Sequence, residues 1–181
     1  MSETQERSST PYPNIPAFLE SDDREFHDTG VPSTVAVAGH PIHPILVQFP
    51  IAFLLGALLT DAVFWFTDDS FWARGSFWLI AAGLVGGVAA ALTGLMDFLR
   101  IGRVRKRTAG WAHLILNVSA LVLTIINLGL RWNNPISAVL PWGLVISVLV
   151  ATLLGISGWY GGELVYRHKI SVIGNGNPNQ P

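Results

Sequence analysis

Four of the five histidines of this chain are predicted to lie at the same end of a bundle of membrane helices: His40, His43, His113 and His168. Imidazole titrates near neutral pH and is the commonest metal ligand among protein side chains. Ionisable groups are rare within membrane segments, where they usually mark ligand sites or proton paths. The histidines therefore indicate a ligand, redox or proton site, and the helices must bring them together for it to form.

The most specific local motif is His40-Pro41-Ile42-His43-Pro44. A residue before proline avoids the α conformation, so both histidines are expected in extended backbone, and Pro44 suits the first turn of a helix. Two imidazoles on such a stiff lead-in can bind one ion or one edge of a porphyrin. Alternatively, His43 only caps the helix and His40 is solvated.

The absence of cysteine restricts the chemistry of any site. It excludes disulfides, cysteine-ligated iron–sulfur clusters and covalent haem, which leaves non-covalent haem b or a divalent metal ion held by histidine. The net charge of −1 comes with no basic pattern of the kind that nucleic acid requires. No Walker loop, dinucleotide-binding fingerprint or nucleophile elbow is present, so no enzyme class is indicated.

Composition predicts an integral membrane protein that is all-α. Half of the 181 residues are apolar and 13% are charged, against about 25% in soluble domains. Four segments have roughly the 20 apolar residues that cross a bilayer. We predict a four-helix transmembrane domain over 36–170, in contact with lipid, with spans at about 44–66, 76–98, 110–130 and 138–160.

The two ends of the chain differ in composition from the spans. Residues 1–35 contain seven acids, two bases and several prolines, and we predict an acidic, disordered tail. Residues 171–181 are rich in Gly, Asn and Pro, which predicts a flexible C-terminal tail.

A run of bases between spans two and three predicts the orientation. By the positive-inside rule this loop, and with it both termini, lies on the cytoplasmic side of the membrane. A binding site for anionic lipid or a partner protein is the alternative role of these bases. The loop residues are Arg100, Arg103, Arg105, Lys106 and Arg107.

Polar residues inside the spans fall at two depths. Asp97 and His113 are predicted near the histidine-bearing end, and Asn117 shares a helix face with His113 four residues earlier. His113 is either a ligand or hydrogen-bonded to Asn117 or Asp97. Arg100, three residues after Asp97, is a candidate salt-bridge partner of that carboxylate.

Asp61 is the exception, since it is predicted in the outer third of span one. A carboxylate at this depth usually faces the interior of a bundle. Trp142 and Ser147 are its candidate partners, and either would make it structural. Arg131 is predicted on the outer side of the membrane, just beyond the end of span three.

Small residues and a weak repeat complete the pattern. Glycine and alanine line one side of spans two and four, which favours close helix packing and alternatively leaves room for a flat cofactor. Each pair of spans opens with His and a nearby amide and closes with Gly, an acid and Arg. This is compatible with two hairpins related by an axis along the membrane normal. The closing residues are Gly94, Asp97 and Arg100, then Gly162, Glu163 and Arg167.

The segment 39–44 and Phe49-Pro50-Ile51 resemble the opening signature of the DUF2231 family of small bacterial membrane proteins. The resemblance extends over about 36–170 through Asp61, Gly94 with Asp97, His113 and the Gly161-Gly162 pair. It implies a four-helix membrane domain in the inner membrane of a bacterial cell. Relatives fused to Rieske-type domains imply electron transfer, in which a chain without cysteine is the membrane partner of a redox protein.

Three function hypotheses follow from these observations. The first is a haem b or metal site, with His43 or His40 opposite His113 as ligands, His168 as an alternative ligand and Asp97 as a further metal ligand. In the haem version, Arg100 or Arg103 pairs with the propionates. The second is a proton-linked transporter that uses Asp61 and the histidine layer, with homo-oligomers supplying the size that a transporter needs. The third is a non-catalytic anchor for a redox partner.

Overall fold

Four long apolar helices dominate residues 29–177, the part of the chain that the computed structural model describes. The first crossing consists of α1 (Ile42–Leu46) and α2 (Gln48–Thr67). The second is α3 (Ser70–Arg100), followed by the short α4 (Gly102–Arg105). The third is α5 (Thr108–Arg131), and the fourth is a kinked turn (Val139–Gly143) continued by α6 (Leu144–Tyr166). Each crossing is long and apolar enough to span a bilayer, which confirms the predicted all-α membrane fold.

The second crossing begins six residues before the predicted start, because the connection from α2 is only two residues long. Asp68 ends α2 in the left-handed conformation, with φ of 53°. Asp69 then caps α3, since its side chain accepts a hydrogen bond from the Phe71 N–H at 2.9 Å. Asp68 and Asp69 thus form the whole connection between the first two crossings, where the sequence predicts a longer loop.

The helices form two antiparallel hairpins that pack side by side. Hairpin 1 is α1, α2 and α3, and hairpin 2 is α5 and α6. The first crossing packs against α3 and α6, and α5 packs against the same two helices. The first and third crossings therefore stand diagonally across the bundle, as a shared site between them requires.

A small cap closes the end of the bundle that carries His43 and His113, here called the histidine end. β1 (Ala36–Val37) pairs antiparallel with β2 (His40–Pro41). Val31 bridges Ile170 in parallel, and both side chains join Ile101 and Val104 in one apolar cluster.

The cap changes the predicted boundaries of the two tails. Gly30 and Val31 form backbone hydrogen bonds with Lys169, Val172 and Gly176, so the two ends of the described chain lie side by side. The reason is that Val31 and Ile170 can bury apolar surface only against each other and the helix ends. The remainder of the predicted acidic tail, residues 1–28, and residues 178–181 lie outside the described part of the chain.

The small residues of α3 allow close approach of neighbouring helices. A Cβ at Gly83 would lie 2.7 Å from two side-chain carbons of Leu54, and one at Gly87 would lie 2.8 Å from Leu121. The space beside these glycines is therefore filled by packed side chains.

We expect Gly83→Ala to lower the free energy of unfolding by about 1–3 kcal/mol, because the added methyl overlaps the buried Leu54. Gly75→Ala in the same helix is the matched control, since a Cβ there meets nothing within 4 Å. Thermal unfolding in detergent, followed by circular dichroism, measures both. Equal stability of the two variants would contradict the packing described here.

Candidate functional site

His43 and His113 meet at the histidine end of the bundle. Their ring centroids are 6.2 Å apart, with the ring planes at 89°. His43 lies in α1 and His113 in the second turn of α5, so each hairpin contributes one imidazole. Two of the four predicted histidines thus form a pair, and both are half-buried.

Each imidazole of the pair is anchored through Nδ1 to a backbone carbonyl. His43 Nδ1 lies 2.9 Å from the Ala90 oxygen on α3, and His113 Nδ1 lies 2.9 Å from the Ser157 oxygen on α6. A carbonyl oxygen only accepts, so Nδ1 carries the proton in both rings. Nε2 then holds the lone pair of each neutral ring, and neither Nε2 has a hydrogen-bond partner within residues 29–177.

A glycine seats each ring against the helix that anchors it. A Cβ at Gly94 would lie 2.7 Å from His43 Cε1, and one at Gly161 would lie 3.1 Å from His113 Cε1. Each glycine follows the anchoring carbonyl by four residues, which is one helical turn. Larger residues at either position would displace the imidazole.

Asn117 supports the His113 half of the site. Its amide donates to the His113 carbonyl at 2.7 Å and to Ser157 Oγ at 2.6 Å. Ser157 Oγ in turn lies 3.0 Å from His113 Nδ1. Asn117 is therefore a neighbour of His113, as predicted, but it bonds the backbone carbonyl of His113. The imidazole ring is hydrogen-bonded to Ser157 instead.

The two hairpins repeat the same register. In the first helix of each hairpin, equivalent residues are 70 positions apart in the sequence, so His43 matches His113. In the second helix of each hairpin they are 67 positions apart, so Gly94 matches Gly161. Buried residues of the first helices match at the same offset: Ala57 with Asn127, and Asp61 with Arg131. Because matched residues meet at both ends of the bundle, the relating axis runs along the helices. The repeat suggested by the sequence is supported, but Gly161 rather than Gly162 matches Gly94, and Leu164 rather than Glu163 matches Asp97.

Asp61 and Arg131 form a fully buried ion pair at the opposite end, here called the ion-pair end. Arg131 Nη1 and Nη2 donate to Asp61 Oδ1 and Oδ2, each at 2.7 Å, and both side chains have 0% exposure. Each residue follows its histidine by 18 positions, which places the pair about 27 Å from the histidines at roughly 1.5 Å per residue. The two polar layers therefore lie near the two faces of a bilayer core.

Arg131, predicted just beyond the outer end of span three, is the last residue of α5 and is fully buried. Its guanidinium turns into the bundle because Asp61 and neutral side chains satisfy its donors there: Nε donates to Asn127 Oδ1 at 2.9 Å and Nη1 to Ser76 Oγ at 2.8 Å. Of the two predicted partners of Asp61, Ser147 is confirmed by a 2.7 Å hydrogen bond, whereas Trp142 is largely exposed. The equal spacing from each histidine was the sequence signal for Arg131.

The carboxylate of Asp97 forms hydrogen bonds with the cap and not the salt bridge with Arg100 for which it was a candidate. Its carboxylate accepts hydrogen bonds from Ser33 Oγ at 2.6 Å, Thr34 N at 2.7 Å and Thr34 Oγ1 at 2.8 Å. These three donors lie in the segment that leads to His43. A sequence pattern does not show that this segment packs beside α3.

The other predicted ligands lie apart from the histidine pair. His40 is exposed, with Nδ1 3.0 Å from the Ala38 oxygen. His168 is buried within the cap, where its N–H bonds the Glu163 carbonyl. Among residues 29–177, no three histidine or carboxylate side chains come together as a metal-ligand group. Of the four histidines predicted to form the site, His43 and His113 are the two that lie in contact in the described residues.

The basic loop is divided between the cap and the surface. Arg103 is 1% exposed and its Nη1 donates to the Thr29 carbonyl at 3.1 Å, so it helps to hold the cap. Arg100, Arg105 and Lys106 are exposed.

We expect Asp61→Asn to lower the free energy of unfolding by about 3–5 kcal/mol, because it leaves the Arg131 charge buried without a counter-charge. Asp68→Asn, in the exposed turn at the same end of the bundle, is the control and should be neutral. The double variant Asp61→Leu with Arg131→Leu should lose less than Asp61→Leu alone. Additive losses in thermal unfolding would show that the two charges do not interact.

Comparison with known proteins gives one match. Residues 39–174 match a family described as a predicted membrane protein (DUF2231). No curated protein and no solved structure matches the chain. The matched range contains all four crossings, the histidine pair and the ion pair. The chain therefore belongs to the DUF2231 family of predicted membrane proteins.

Proposed function

We propose that His43 and His113 together bind one transition-metal centre, either a single metal ion or the iron of non-covalent haem b, and that this centre takes part in membrane electron transfer. The observation that carries the proposal is the matched anchoring of the two rings. Metal-binding histidines commonly donate the second ring N–H to a backbone carbonyl, which fixes the tautomer and orients the ligand nitrogen. Both rings have this arrangement, at 2.9 Å to Ala90 and Ser157.

The spacing of the rings supports ligation of one centre. Two imidazoles on opposite sides of one metal ion, each bonded at about 2.0–2.1 Å, have ring centres roughly 6 Å apart. The observed separation is 6.2 Å. The diagonal placement of the two helices lets the rings approach from opposite sides of the bundle axis.

A single ion needs less rearrangement than haem. Haem requires a flat slot beside the two nitrogens in addition to its axial ligands. Towards the centre of the bundle, Leu121 and Pro50 cover Gly87, two turns from Gly94, and fill that side. Imidazole ligands suit copper, iron, nickel and zinc, of which copper and iron support one-electron chemistry.

The alternatives have less support. A proton-linked transporter would use Asp61 as a relay, but Arg131 and Ser147 hold both carboxylate oxygens of that residue. An anchor without a cofactor would not need two identically seated imidazoles. A redox partner protein that binds at the histidine end, through the exposed bases of the loop, is compatible with the metal centre and belongs to the same proposal.

We expect purified protein to bind either haem or copper in a ratio of one per chain, and His43→Ala and His113→Ala each to lose at least about tenfold in affinity. Difference spectra after reduction by dithionite detect haem, and elemental analysis after loading with each metal detects the ion. His40→Ala is the matched control, because His40 is exposed and outside the pair. Unchanged binding in His113→Ala, or no binding of either centre by folded protein, would overturn the proposal.

We also propose that the histidine end faces the cytoplasm of a bacterial cell. The reason is that Arg100 ends α3 and four further bases, with no acid among them, lie between α3 and α5. The chain has no cysteine, so single-cysteine variants report on one site each. In intact cells stripped of the outer membrane, a membrane-impermeant maleimide should label Asn133→Cys and leave Arg105→Cys unlabelled until lysis. The reverse pattern would invert the orientation.

A further inference from the structure

We infer that Asp97 is a positioning residue for His43 and acts through the segment Ser33–Pro41, here called the strap. The inference rests on the proposed function in that His43 is taken as a ligand. It assigns to Asp97 a role different from metal ligation. Asp97 sets where the His43 ring sits, without contacting the bound centre.

The latch between Asp97 and the strap consists of charge-assisted hydrogen bonds. Asp97 is 6% exposed, and both of its oxygens are engaged: Oδ2 by Ser33 Oγ, and Oδ1 by the amide and hydroxyl of Thr34. Hydrogen bonds to a carboxylate are roughly twice as strong as those between neutral groups. A carboxylate at this depth therefore fixes the start of the strap on α3.

The strap transmits that position to His43 through its own backbone. The Val35 carbonyl accepts from Ile42 N at 3.0 Å, next to His43. Between these residues, Val37 pairs with His40 in the short antiparallel ladder, and Ala36 with Pro41. The latched segment and the first turn of α1 are thus one hydrogen-bonded unit, so movement at Thr34 displaces the His43 ring.

One helix supplies the latch, the seat and the anchor. Asp97, Gly94 and Ala90 lie at three- and four-residue spacings along the same face of α3. Ala90 accepts from the ring, Gly94 receives its Cε1 edge and Asp97 holds the strap that delivers it. Loss of the latch removes the third of these constraints and leaves the other two in place.

Hairpin 2 has no equivalent latch, which separates this role from a general effect on the fold. At the offset of 67 residues, Leu164 takes the place of Asp97. Leu164 packs in the apolar cluster of the cap with Ile101 and Val104. Removal of the Asp97 carboxylate should therefore affect His43 and spare His113.

The test is chemical modification of the two histidines in the full-length protein without added metal or haem. Diethylpyrocarbonate reacts with neutral imidazole, and mass spectrometry of peptides gives a rate for each residue. We expect Asp97→Ala to raise the rate at His43 on the order of tenfold and to leave His113 unchanged. Ser33→Ala combined with Thr34→Val should give a smaller rise at His43, because the Thr34 N–H still donates to Asp97. Asp68→Asn, an exposed carboxylate elsewhere, should give no rise.

The combined variant Asp97→Ala, Ser33→Ala, Thr34→Val should react no faster at His43 than Asp97→Ala alone, because Asp97→Ala already removes every hydrogen bond to the carboxylate that the other two substitutions remove. An unchanged His43 rate, or an equal rise at His43 and His113, would overturn the role of Asp97. The assay needs no bound centre, so its outcome is independent of whether the protein binds haem or copper. Failure of both centres to bind with a selective rise at His43 would refute the proposed function and leave the latch established.

Discussion

The ion pair between Asp61 and Arg131 ties the two hairpins together at one end of the bundle. Hydrocarbon offers no polar partners, so each charge must be met inside the protein. The pair is bidentate, fully buried and completed by Ser76, Asn127 and Ser147. Because Asp61 and Arg131 occupy matching positions of the repeat, their contact also fixes the register in which the hairpins align. That register brings His43 opposite His113 at the other end.

The histidine layer uses the same geometry for a different chemistry. Both rings are held by a carbonyl and a glycine one turn apart, and this seat occurs once in each hairpin. All five N–H groups of Arg131 and both oxygens of Asp61 are hydrogen-bonded within the protein, which suits a structural role. Within the described residues, each imidazole is hydrogen-bonded to the protein through Nδ1 alone, and Nε2 is the nitrogen that a metal centre would use.

The repeat is broken where the chain leaves the membrane. Hairpin 1 is entered through a strap latched by Asp97, whereas hairpin 2 is entered through α4 and an apolar cluster that contains Leu164. Two imidazoles that are equivalent inside the bundle are therefore held differently at its surface. This asymmetry would let His43 respond to the cap without disturbing His113.

The sequence by itself determined the four crossings, because about 20 apolar residues in succession have one stable arrangement in a bilayer. It also determined that His43 and His113 lie at one end, since antiparallel crossings fix depth. Depth along a helix does not fix direction around it, so packing alone decided that these two rings meet and that His40 does not join them. For the same reason, the sequence pattern did not identify the partners of Arg131 and Asp97. Their partners, Asp61 and the strap, are 70 and 63–64 residues away in the chain, and only the tertiary structure brings them within hydrogen-bonding distance.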